Sequence, residues 1–283
     1  MRPAAHFAAS FNGSAIEVDC SSAPLAEELR LRLGHLLVGT PSAAILRLTL
    51  EQIESDWIEL RDSTGRCERG QLDYVVHCAR RWAIEGFIEA HPGFLWLHAA
   101  AAALDDSVVL LCGSPGAGKS TLAVQLIDRG WTFVADDVVP VDATSGLTLP
   151  MPCAPCVRTV GSDGGDPGVF LEQTKRVIAV APDQVATKPQ PVGAIVFPEF
   201  SPVETPILSQ LSAVSAAWSL IAQCLRFDQD RARTIGGLFR LAETLPAFHL
   251  RYRDPAAAAA ELTTRWPELS RSLQSSGGDA VNS

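Results

Sequence analysis

At 283 residues and 47% hydrophobic content, the chain can bury a large core and has room for two domains, or one domain with a smaller lobe. Its net charge of −9, with Lys and Arg scattered, argues against nucleic acid as a partner, because phosphate contacts need clustered cations. No apolar run reaches the roughly 18 residues of a membrane span, and the start Met1-Arg2-Pro3-Ala4-Ala5-His6 does not read as a signal peptide. The expected address is therefore the cytoplasm, with no membrane partner.

Residues 1–90 form a stretch with its own periodicity. Short alternating segments at 6–10, 15–19, 44–50 and 57–61 read as half-buried strands. Residues 24–36 read as a helix with Leu25, Leu29, Leu33 and Leu36 on one face, and a second helix is expected from about 71 to 89. This small α/β lobe carries no recognisable chemistry; packing, dimer contact or substrate capture are its expected roles. Next comes the run 95–103, Leu-Trp-Leu-His-Ala-Ala-Ala-Ala-Ala, which reads as one buried strand. Asp105-Asp106 turns the chain into a second strand, 107–112, so that a hairpin leads into a glycine-rich loop.

That loop is Gly113-Ser114-Pro115-Gly116-Ala117-Gly118-Lys119-Ser120-Thr121, which fits G-x-x-x-x-G-K-[ST] at every fixed position. Strand before and helix after, with Leu122, Leu126 and Ile127 on one helix face, are the context that confirms such a match. Glycines let successive backbone N–H groups point into one concavity, and the helix adds its positive N-terminal end. Lys119 would reach the outer phosphates of a nucleoside triphosphate, and Ser120 would ligate Mg²⁺.

Arg129-Gly130 ends that helix with a left-handed cap, and 131–135 is the next strand. It terminates in Asp136-Asp137. In a doubly wound sheet that strand end faces the same crevice as the phosphate loop. One carboxylate could hold Mg²⁺ and the other accept a proton from an attacking hydroxyl. His98 reads two ways: a satisfied core residue, or a group brought by the hairpin next to the acidic pair. Cys153-Ala154-Pro155-Cys156 is a lone CxxC without a second pair or a nearby His; it reads first as structural, with a metal or redox role as the alternative, and the other five cysteines read as core or loop residues.

A hairpin is expected around Thr144-Ser145-Gly146 and a glycine-rich loop over 159–168. Arg158, Lys175 and Arg176 flank that second loop and are candidates to neutralise charge on a transferred phosphoryl group. Strands are expected at 192–197, closing the sheet, and at 247–252. Helices are expected at 212–224 and 235–244, with a last one at 256–266 capped by Asp254-Pro255. The residues after 269 read as a flexible tail.

Leu97-His98, the loop Gly113 to Thr121, Arg129-Gly130 and Val134-Ala135-Asp136-Asp137, in this order, resemble the catalytic domain of HPr kinase/phosphorylase. Gly193-Ala194-Ile195-Val196-Phe197-Pro198 and Phe248-His249-Leu250-Arg251-Tyr252 are similar to its divergent relatives, among them the kinases of lasso peptide clusters. The resemblance implies an α/β fold: a P-loop-containing sheet domain of HPr-kinase type at 91–269, with the small N-terminal α/β lobe before it. It implies ATP and Mg²⁺ as cofactors and a serine on a peptide or small protein as acceptor, such as the C-terminal serine of a lasso peptide precursor. It also implies a homo-oligomer. Asp136 takes the role of base with His98, and Asp137 and Ser120 that of metal ligands. Ala99 stands where the family has glycine, and the family's Arg-Pro-Gly-Arg-Asn signature is missing. A small-molecule kinase and a nucleotide-binding regulatory module stay open as alternatives, although no arginine-rich lid is evident. No Leu-Ser-Gly-Gly signature of transporter ATPases is present.

Overall fold

The structure is a computed structural model that describes residues 3–38, 44–158, 175–227 and 231–270. The glycine-rich stretch 159–168 and residues 271–283 of the expected tail lie outside the described residues. The chain divides into two units, Met1–Pro92 with Cys156–Ala179, and Gly93–Pro155 with Val180–Ser283.

The first unit begins with β1 (Ala5–Phe11), β2 (Ser14–Cys20), α1 (Ala23–Leu33), β3 (Leu37–Val38), β4 (Leu46–Gln52), β5 (Ile58–Asp62), β6 (Cys67–Gly70) and α2 (Leu72–Ala90). Among the described residues its sheet runs β3-β1-β2-β4-β5-β6. Leu25, Leu29 and Leu33 of α1 and Val75, Val76, Ala79, Ala83 and Phe87 of α2 are buried. The expected first helix is shorter than its leucine stripe: it stops at Leu33, and a 3₁₀ turn carries Leu36. Charged residues alternate with the buried ones along the strands and pair across them, His6 with Asp19 at 2.8 Å and Arg47 with Glu17.

The second unit opens with β7 (Phe94–Leu97), β8 (Ala99–Leu104), β9 (Ser107–Cys112), α3 (Lys119–Ile127), β10 (Thr132–Ala135), β11 (Val139–Asp142) and β12 (Leu147–Thr148). The ribbon of β13 (Cys156–Arg158) and β14 (Lys175–Val177) comes next in sequence and groups with the first unit. The second unit resumes with β15 (Gln190–Phe200), β16 (Ile207–Gln210), α4 (Ala213–Gln223), α5 (Arg231–Thr244), β17 (Ala247–Tyr252) and α6 (Pro255–Leu269). Its sheet runs β10-β8-β9-β15-β12-β11-β7 among the described residues, with β17 also on β15 and β16 on β17.

The α/β class is as expected, but the sheet is mixed rather than doubly wound. β8 is antiparallel to both β9 and β10, while β9, β15 and β17 are mutually parallel. Two expected strands also change. The run 95–103 is not one strand: it breaks at His98, so that β7 pairs with β11 and β8 with β9 and β10. Composition cannot mark this switch, because the apolar residues on both sides of it are buried alike. The strand expected at 192–197 runs from Gln190 to Phe200 and lies inside the sheet, between β9 and β17, instead of closing it.

One face of this sheet packs on α3 and α6. Ala100 and Ala102, Val109 and Leu111, Ala194 and Val196, and Phe248, Leu250 and Tyr252 meet Leu122, Leu126, Trp131, Leu262 and Trp266 there. Alternation by two along four strands selects one common face. Asp254 starts α6 as expected, its carboxylate accepting from the Ala256 N–H at 2.9 Å with Pro255 in the first turn. Trp131 and Trp266 meet edge to face, ring centres 4.9 Å apart, and each indole N–H is bonded: to the Thr263 hydroxyl at 3.0 Å and the Leu104 carbonyl at 3.2 Å. Trp266→Ala should therefore lower stability by about 3–5 kcal/mol in urea unfolding, and Trp266→Phe by clearly less. A loss below about 1 kcal/mol, the low end for core substitutions, would show that α6 does not hold this face.

Candidate active site

Sheet register assembles the site. Ala99 pairs with Cys112, and Ala101 pairs with Ala135. His98 precedes Ala99, Gly113 comes directly after Cys112, and Asp136 directly after Ala135. Because β8 is antiparallel to both neighbours, its beginning lies beside both of their ends. The histidine, the phosphate loop and the acidic pair thus emerge at one edge of one sheet.

The loop is tightly curled. The Ala117 N–H donates to the Ser114 carbonyl at 3.1 Å, and Gly118 caps α3 with φ +88°. Glycine takes that conformation without penalty, and it supplies no side chain to cap the helix. The first-turn amides are thus available to an anion, as the sequence pattern requires. Lys119 opens the helix and is 6% exposed. Its ammonium donates to the loop's own carbonyls, Gly113 at 2.6 Å and Ser114 at 3.2 Å. Burial lowers its pKa, and the charges of Asp136 and Asp137 oppose that shift. Both carboxylates therefore lie within electrostatic reach of the loop lysine. Cys112, fully buried behind the loop, is pushed up to about 12 by burial and stays a neutral thiol.

The two aspartates differ. Asp136 is 3% exposed, whereas the Asp137 side chain is 49% exposed and its backbone sits at φ +72°. Asp is one of the few residue types that tolerate this left-handed conformation. His98 Nε2 lies 3.5 Å from the Asp137 carboxylate, and the His98 backbone N–H donates to the Gln223 carbonyl at 2.7 Å at the end of α4. Sequence reasoning coupled His98 to Asp136; the structure brings the His98 ring to the other member of the pair, Asp137. Burial and then Lys119 lower the His98 pKa, and Asp137 raises it.

Arg158 pairs with Lys175, and Val157 with Arg176, on the β13–β14 ribbon of the first unit, whereas the loop belongs to the second. Among the described residues no group of three or more His, Cys, Asp or Glu is arranged to hold a metal.

Tyr252 was given no role at the loop by the sequence reading. It ends β17, is 1% exposed, and donates its hydroxyl to the Ala117 carbonyl at 3.2 Å, 135 residues away. Burial pushes its pKa up to about 12, so the phenol remains a donor. A Cβ at Gly118 would come within 2.0 Å of that hydroxyl. The one available signal was the alternation of β17, which puts Tyr252 on the same face as Leu250; nothing local names its partner.

Strand, glycine loop and helix, with acidic residues ending the next strand but one in the sheet, define this unit as a P-loop α/β fold. Residues 96–159 match the HPr Serine kinase C-terminal domain family. The HPr kinase/phosphorylase of Nitrosomonas europaea is 46% identical over 50 residues, which are 18% of this chain and 16% of that relative. The chain is thus HPr-kinase-related through the segment that builds the loop and the acidic pair. The solved Hpr(Ser) kinase/phosphatase of Coxiella burnetii is similar at 15% identity and a TM-score of 0.34, covering 61% of this chain and 97% of that one.

Two outcomes test this geometry. Gly118→Ala should lower the thermal midpoint through backbone strain and the clash with Tyr252, and adding Tyr252→Phe should recover only part, because φ stays positive. A double variant as unstable as the sum of the two single losses would refute the contact. In an NMR titration the His98 ring should protonate below the ordinary histidine value of 6.5, so it is neutral at pH 7 and charges only as pH falls. Asp137→Asn should move that midpoint further down and Lys119→Met should move it up; the opposite signs would refute the placement.

Proposed function

We propose that the chain is an ATP-dependent kinase that transfers the γ-phosphoryl group to a serine hydroxyl on a peptide or small protein. The observation that carries this reading is the shared edge: a phosphate-binding loop, a buried carboxylate and a largely neutral histidine emerge there from three hydrogen-bonded strands. A nucleotide switch needs the loop but has no use for a proton acceptor beside it. The family match over residues 96–159 supports phosphoryl transfer as the chemistry.

In this reading the loop amides and the N-terminus of α3 take the triphosphate. The Lys119 ammonium leaves the Gly113 and Ser114 carbonyls for phosphate oxygens. Asp136 accepts the serine proton as the hydroxyl oxygen attacks the γ-phosphorus and ADP departs. The carboxylate is buried beside the loop lysine, out of bulk water and within reach of the loop. His98 and Asp137 hold each other at the mouth of the site.

The donors present suit Mg²⁺, a hard cation that takes oxygen ligands: the Ser120 hydroxyl in the first turn of α3 and the half-exposed Asp137 carboxylate. Bound Mg²⁺ would offset charge on the phosphate oxygens. The cytoplasm is the address we propose. The described residues contain no helix long and apolar enough to cross a membrane. A serine acceptor rests on the family resemblance, and the C-terminal serine of a lasso peptide precursor is the first candidate.

The test is mass spectrometry of HPr, a serine-ended precursor peptide and a metabolite mixture after incubation with ATP and Mg²⁺. One added phosphate should appear on the peptide. Lys119→Ala should abolish the transfer, and Asp136→Asn should abolish it while sparing ATP binding. Transfer that survives in Asp136→Asn would move the base elsewhere. ADP release with no phosphorylated peptide or protein would overturn the serine kinase reading.

A further inference from the structure

Two strands outside the family-matched segment end beside the loop. β15 runs parallel to β9, Val196 opposite Leu111, and β17 runs parallel to β15, Phe200 opposite Tyr252. Alternation puts Val196, Pro198 and Phe200 on the face that packs on α3. Val196 belongs to that core, and Pro198 lies against Gly113 at the start of the loop. Tyr252 is bonded to the Ala117 carbonyl at 3.2 Å on one side. On its other side stands Phe200, ring centres 6.4 Å apart and planes at 85°.

Phe200 is 64% exposed. A single exposed phenyl is ordinary on a protein surface and carries no meaning by itself. This one is held by an edge-to-face contact with a buried tyrosine, and that tyrosine is hydrogen-bonded to the phosphate loop. A triphosphate seated in the loop must project its ribose and base out of the concavity. Phe200 offers an aromatic face one ring away.

We propose that Phe200 is the stacking platform for the nucleobase, and that Tyr252 is the strut fixing the spacing between platform and phosphate loop. The inference rests on reading the loop as a nucleoside triphosphate site. The ligand class is a nucleoside triphosphate. Stacking is tolerant of base identity because every base presents a π-face, so Phe200 supplies affinity without separating ATP from GTP.

The test compares two ligands on the full chain with Mg²⁺: ATP, and inorganic tripolyphosphate, which has no base. Isothermal titration of wild type, Phe200→Ala and Phe200→Trp gives the dissociation constants. Phe200→Ala should weaken ATP by about tenfold or more, the range expected for losing a base–aromatic stack. Tripolyphosphate affinity and the thermal midpoint should stay unchanged, and Phe200→Trp should restore ATP. Unchanged ATP affinity in Phe200→Ala would overturn the platform. So would an equal loss for both ligands, which would mean a distorted loop. Wild-type protein that binds neither ligand would overturn the phosphate-loop reading and the platform with it.

Discussion

Strand β8 is hydrogen-bonded along both edges, to β9 through Ala99 and Cys112 and to β10 through Ala101 and Ala135. An antiparallel strand between two others makes those two parallel to each other, so their ends come out on the same side. The site depends on this pairing. Were β8 to slip by one residue, its alternation would invert and its side chains would exchange faces. The alanines suit the place: Ala100 and Ala102 let Leu122 and Leu126 of α3 approach the sheet closely. That approach sets where the helix begins, and with it where the loop amides point.

The charges at this edge constrain one another. Burying an ammonium is costly unless partners surround it. Lys119 has two loop carbonyls in hydrogen-bond reach and two carboxylates in electrostatic reach. Lys119 in turn disfavours a proton on His98, while Asp137 favours one. A phosphate arriving in the loop would draw the ammonium away from the carbonyls and would shift the balance at His98 as well. Loop lysine, acidic pair and histidine are thus coupled electrostatically. Tyr252 braces that unit from below through a neutral hydrogen bond that does not alter its charge.

Much of the second unit was readable because its signals are local. The loop string, the apolar strand before it, the helix face of Leu122 and Leu126, and the Asp254-Pro255 cap each sit within a few residues. Gly130 at φ +88° closes the helix as its sequence announced. The break at His98 was not readable, because apolar residues continue on both sides and only the change of partner strand separates them. The central place of β15 was hidden for the same reason: its neighbours β9 and β17 lie far from it in the chain.

The sequence by itself determined the chemistry available to this protein: a loop able to hold phosphates, a lysine, a serine, two aspartates and a histidine, with the helix that orients the loop. Short-range backbone geometry and side-chain type suffice for that, since a turn or cap is decided by residues next to one another. Only the tertiary structure decided which groups meet. It joined His98 to Asp137, bonded Tyr252 to Ala117 and stood Phe200 beside Tyr252. These meetings come from strand pairing and register, which emerge from burying whole faces together and leave no mark in any short window of sequence.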